Sequence, residues 1–180
     1  MTRADVESVI ERLTPGPVQV QWGPGMGSSA DSNRKGEHTV TFGDGLRDDS
    51  DCAFFFAAHE AGHIALGHTS IRVKRQALSL MTMGYVVLFV AVFVVGVTVH
   101  PLAGLLTFWA GCLIPLHLLL RLRNVPQELQ ADDFAQDQGH SITRVQAHAQ
   151  RSWAHVVLPT HPRWDARQQH AQQRIARRCS

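Results

Sequence analysis

From Gln76 to Leu120 the chain contains no Asp, Glu, Lys or Arg. A soluble helix alternates apolar with polar positions along such a length, and this run does not. It divides into ALSLMTMGYVVLFVAVFVVGVTV and LAGLLTFWAGCLIPLHLLL, joined at His100 and Pro101. Each half supplies about the twenty apolar residues that a membrane-crossing helix requires. The run therefore predicts a transmembrane hairpin over 76–120, with spans at 77–99 and 102–120. Arg72, Lys74 and Arg75 precede the first span, Arg121 and Arg123 follow the second, and the connection carries no fixed charge. The excess of positive charge beside the outer ends predicts an integral membrane protein with both termini on the cytoplasmic side. Gly84, Gly96, Gly104 and Gly111 offer places for close helix packing.

The flanking segments, 1–75 and 121–180, are polar and together long enough for one modest core, so they are expected to form a single discontinuous domain. A net charge of +2 over 180 residues is too small for a nucleic-acid partner. Cys52, Cys112 and Cys179 have no C-x-x-C spacing, which argues against a disulfide framework. Residues 1 to 50 hold no apolar core of the length a cleavable signal needs, so none is expected. TRADVESVIERLT has helical periodicity and is stopped by PGP. VQVQW and HTVTF alternate as strands do, with GPGMGSSADSNRKGE between them as a flexible connection. After the hairpin, SITRVQAHAQRSWAHVVL reads as a helix and THPRWDARQQHAQQRIARR begins another. The expected class is α+β, mostly helical, with a small antiparallel sheet.

Chemistry is concentrated in FFFAAHEAGHIALGHTS, residues Phe54 to Ser70. On a helix His59 and His63 stand one above the other on the same face, with Glu60 beside the first. Two imidazoles in that arrangement chelate zinc, and the adjacent carboxylate serves as a base for water. The surrounding alanines, Gly62, Ile64 and Leu66 describe a closely packed helix, on which polar groups need partners. A zinc site needs a third protein ligand. His68, five residues after His63, falls about 140° around the helix and one residue short of the H-E-x-x-H-x-x-G-x-x-H spacing, and is set aside. Glu128, in NVPQELQADDFAQDQGH, is the better candidate: Pro126 is placed to open a helix, Glu128 falls in its first turn, and Asp132 follows on the same face. A carboxylate can be the third ligand, and a second one a turn later can accept the other N–H of a ligating histidine. Taken alone, the two carboxylates equally describe an ordinary acidic helix start.

The order HEAGH, a hairpin, ELQAD and then THPRWDAR resembles the HtpX-type membrane metallopeptidases, a family that includes the CAAX prenyl proteases. Its pattern is H-E-x-x-H, then E-x-x-A-D, then Ser/Thr-His-Pro with an Arg six residues after that His. The matching residues are His59, Glu60 and His63, then Glu128, Ala131 and Asp132, then His161, Pro162 and Arg167. The resemblance implies a gluzincin-like catalytic domain with one zinc ion per chain, held by His59, His63 and Glu128. It further implies Glu60 as general base, His161 at the oxyanion, Asp132 behind a zinc-bound histidine, and Arg167 paired with a carboxylate of the site. Protein or peptide substrates, beside a lipid bilayer, are the implied partners, with a part in membrane-protein quality control. A strand near the cleft would grip an extended peptide by its backbone. The alternative is a catalytically silent zinc-binding membrane module that binds or regulates a partner. Glu60 argues against it, since a purely structural zinc site has no need of a base.

Overall fold

The computed structural model describes residues 2–24, 27–48, 50–145 and 162–179. It is α+β and mostly helical, with a three-stranded sheet. Helix α1 (Arg3–Leu13) begins at Thr2, whose hydroxyl accepts from the Asp5 N–H while the Asp5 carboxylate accepts from the Thr2 N–H. This reciprocal cap satisfies two of the backbone donors that a helix start leaves open. Its inward residues Val6, Val9 and Ile10 are buried against α2 (Ser50–Ala65).

The sheet differs from expectation in two respects. β1 (Val18–Gly23) and β3 (His38–Gly43) are the anticipated strands, but β2 (Ser28–Ser32) forms inside the stretch read as a flexible connection. Ser and Asp disfavour strands, so SSADS gives no local signal, and pairing with β3 is what holds it extended. The turn between β2 and β3 is locally encoded: the Asn33 carboxamide oxygen accepts from the N–H groups of Lys35 and Glu37, and Gly36 takes a φ of 80°. Because β2 reverses the chain before β3, β1 and β3 run parallel while β2 and β3 run antiparallel. The sheet is therefore mixed rather than antiparallel, in the order β1-β3-β2, with β2 on an edge. Val40 and Phe42 of β3 are fully buried and meet α1 and α2 in one core with Phe55, Ala57 and Ala58.

The hairpin is formed by α3 (Ile71–Thr98) and α4 (Pro101–Asp137), which pack against each other. His100 caps α4 by accepting from the Leu102 N–H, and Pro101 occupies the first turn, where a missing donor costs nothing. The two helices approach so closely near the turn that a Cβ on Gly104 would lie 2.9 Å from the Gly96 Cα. Among the described residues, no helix is long and apolar enough to cross a membrane.

A further correction concerns Pro126. It does not open a helix but lies within α4, which continues through it to Asp137. Proline removes one backbone bond and crowds the preceding turn. Here α4 is held on both sides of the residue, by α3 along its first half and by α2 and the C-terminal helix α5 (Trp164–Cys179) along its second. The helix expected over SITRVQAHAQRSWAHVVL lies largely outside the described residues; the part of that stretch that is described forms a 3-10 turn at Ile142–Arg144. α5 is where the sequence places it.

Candidate metal centre

α2 carries His59 and His63 on one face with their ring centroids 4.7 Å apart and the rings nearly perpendicular. α4 crosses α2 at Gly62, where an added Cβ would lie 3.1–3.2 Å from the Phe134 side chain. That close approach brings Glu128 over the two imidazoles. The His59 and His63 Nε2 atoms are 3.2 Å apart, Glu128 Oε2 is 3.3 Å from His59 Nε2, and Glu128 Oε1 is 3.4 Å from His63 Nε2. Atoms bound at about 2.0–2.1 Å to a tetrahedral zinc ion stand about 3.3–3.4 Å from one another. The two Glu128 contacts fall on different carboxylate oxygens, so the three residues stand close enough to share one metal ion, and two imidazoles with a carboxylate suit zinc in their chemistry; among the described residues it is the one such group. His59 and Glu128 are buried and His63 is partly exposed, so the centre opens on the His63 side.

The remaining nitrogen of His59, Nδ1, lies 2.9 Å from Asp132 Oδ1. A proton on Nδ1 leaves the Nε2 lone pair directed at the other donors, the tautomer that a metal ligand needs. Asp132 is held in turn by Arg167 of α5, whose Nε donates to Oδ2 at 2.7 Å and whose terminal nitrogen donates to Oδ1. Burial opposes the charge on Asp132, yet Arg167 and then His59 hold its carboxyl below the ordinary value. Burial likewise opposes the charge on Arg167, and Asp132 more than offsets it, keeping the guanidinium above its usual range. For His59, burial disfavours the imidazolium, but Asp132 and Glu128 outweigh it and push the pKa up to about 9 in the metal-free chain. The Arg167 guanidinium also lies against two aromatic rings, 5.3 Å from the centre of Trp164 and 5.9 Å from that of Phe55.

Glu60 is buried and stands apart from the three donors. Its Oε1 accepts from the Ser28 hydroxyl of β2 at 2.7 Å, so the carboxylate is held by the edge strand rather than by the histidines.

A continued α2 would carry His68 about 140° around the helix from His63. The helix instead ends in a glycine cap: Gly67 has a φ of 73°, its N–H reaches the Ile64 carbonyl, and the His68 N–H reaches the His63 carbonyl. This cap turns His68 back over His63, with their Nδ1 atoms 3.1 Å apart, while His68 Nε2 meets Gln130 Oε1 at 3.0 Å. Burial and then the neighbouring His63 hold His68 below the usual imidazole pKa.

The structure therefore brings together His59, His63, Glu128, Asp132 and Arg167, with Glu60 adjacent on α2; His161 lies outside the described residues. Sequence reasoning missed Ser28 and Gln130, which reach the site only through tertiary packing. Gly67 was the available signal for the return of His68, as a glycine one turn beyond a helical pattern marks a cap.

A model of Peptidase family M48 matches residues 41–175, a span that includes all three motifs. No curated protein and no solved structure matches the chain. The matched span covers most of the chain and contains every donor of the centre, so this protein belongs to Peptidase family M48, a family of metallopeptidases.

Proposed function

We propose that this protein is a membrane-anchored zinc endopeptidase. One observation carries the reading: two imidazoles and a carboxylate converge closely enough to share one ion, while the next residue's carboxylate, Glu60, is held by Ser28 outside the ligand set. His59, His63 and Glu128 would hold the ion. Zinc bound there supplies Lewis acidity and a water of lowered pKa. Glu60 is the general base that takes the proton from the attacking water and returns it to the leaving amine. Ser28 fixes the Glu60 carboxylate for that task by donating to Oε1. Asp132, locked by Arg167, keeps the His59 proton on Nδ1. By family resemblance His161 stabilises the oxyanion of the tetrahedral intermediate. The edge position of β2, next to Glu60, suits a substrate bound in extended form by its backbone.

Membrane anchoring rests on the uncharged run from Gln76 to Leu120 and on the apolar surface of the hairpin. Phe89, Phe93, Val97 and Leu106 are each at least 65% exposed, a pattern that water disfavours and lipid accepts. In this reading 76–120 is the anchor, and 1–75 with 121–180 is the cytoplasmic peptidase domain. A protease so placed acts on cytoplasmic or juxtamembrane segments, as membrane-protein quality control requires.

The test uses the full chain purified in detergent, as wild type and as Glu60→Gln, with casein as substrate. Wild type should cleave and lose activity to a chelator, while Glu60→Gln should bind zinc and cleave at least 100-fold more slowly, the lower bound for losing a general base. Zinc bound by both with cleavage by neither would instead favour a silent metal-binding module.

A further inference from the structure

Among the polar side chains around the donors, His68 has no task in the mechanism above. We propose that His68 is a positioning residue for the metal ligand His63, and that His63, His68 and Gln130 form one hydrogen-bonded chain that fixes the His63 ring. The inference rests on the reading of His59, His63 and Glu128 as a metal centre. A His63 ring whose Nε2 lone pair faces the other donors carries its proton on Nδ1, and the atom facing that proton is His68 Nδ1, at 3.1 Å. His68 Nδ1 must then accept, which places the His68 proton on Nε2, 3.0 Å from the acceptor Gln130 Oε1. Each link has one donor and one acceptor, and every member is neutral.

The chain also joins the two halves of the site. Gln130 lies on α4 two residues beyond Glu128, so it couples the cap of α2 to the helix that supplies the third donor. Both nitrogens of His68 are engaged, which leaves no lone pair for the ion and accounts for its place outside the donor group. The two ligands are thus supported differently: His59 is backed by an anion, Asp132, and His63 by a neutral imidazole.

The experiment compares wild type, His68→Ala and His68→Asn as full chains in detergent. Zinc affinity is measured by chelator competition, and the visible absorption of cobalt-substituted protein reports the ligand set. Loss of a partner that orients a ligating histidine weakens metal binding by about 10- to 100-fold, the drop expected for His68→Ala. His68→Asn keeps an acceptor near the position of Nδ1 and should recover most of it. The cobalt bands should be the same in all three, because the ligands do not change. Wild-type affinity in His68→Ala, or no recovery in His68→Asn, would overturn the inference alone. Altered cobalt bands in His68→Ala would also overturn it, by making His68 a ligand. A wild-type chain that binds no zinc would overturn the metal-centre reading itself.

Discussion

At the scale of single residues, the buried Asp132–Arg167 pair is the point where stability and metal binding meet. Asp132→Asn removes the anion behind His59 and strands the Arg167 guanidinium in a buried site. An uncompensated buried charge costs about 3–5 kcal/mol. Loss of the carboxylate behind a ligating histidine weakens metal binding by about 10- to 100-fold. Asp132→Asn should therefore lower the Tm of the metal-free chain and weaken zinc binding together, measured by thermal unfolding and chelator competition. An unchanged Tm would show that Arg167 finds another partner.

His59 gives the same site a pH signature. Its pKa rises from an ordinary 6.5 to about 9 on folding without metal. Protonated His59 thus contributes stability that is fully present below pH 6.5 and is lost as the pH rises through about 9. The His59 contribution should lower the metal-free Tm between pH 7 and about pH 9, in a step that Asp132→Asn diminishes. Zinc needs the neutral imidazole, so the stabilisation that added zinc confers should grow over the same range. A metal-free Tm flat across that window would contradict the arrangement of carboxylates around His59.

At the scale of elements, the crossing of α2 and α4 sets the spacing of the donors. Gly62 lets Phe134 approach to a distance that a larger side chain would occupy. Gly62→Val should force the helices apart, destabilise the chain by about 1–3 kcal/mol through overpacking, and weaken zinc binding by moving Glu128 from the imidazoles. Equal zinc affinity in this variant would mean that α4 adjusts without carrying Glu128 away. The element scale also shows what the sequence made legible. His59, Glu60 and His63 announce themselves because a helix fixes their spacing, and Glu128 and Asp132 share a turn for the same reason. Their meeting with His59 required a crossing that no local pattern encodes. β2 was invisible because its serines and aspartate carry no strand preference, and with it went the parallel pairing of β1 and β3. Pro126 misled because a proline at the start of a helix and one inside a long helix held on both sides leave the same local trace.

For the whole molecule, the hairpin is part of the site's architecture rather than an appendage, since α4 begins in the apolar run and carries Glu128 to the two imidazoles of the candidate metal centre. On the proposed anchoring, the full chain should stay with membranes through alkaline carbonate and leave them only with detergent. A tag at either end should be protease-accessible in inside-out vesicles and protected in right-side-out ones. Release by carbonate would leave the apolar hairpin to another partner and remove the bilayer from the account. Gly104→Val should impair folding of the hairpin, because the Gly96 backbone fills the space its side chain needs.

The central claim is that one metal ion is held by two imidazoles and one carboxylate, with Glu60 left free to act as base. X-ray absorption at the zinc edge of the zinc-loaded protein in detergent tests it most directly, for wild type, Glu128→Gln and Glu60→Gln. Two imidazole nitrogens and two oxygens at about 2.0–2.2 Å in the wild type, with a changed or emptied site in Glu128→Gln and an unchanged one in Glu60→Gln, is the predicted result. A sulfur ligand, or a spectrum that changes with Glu60 and not with Glu128, would contradict it.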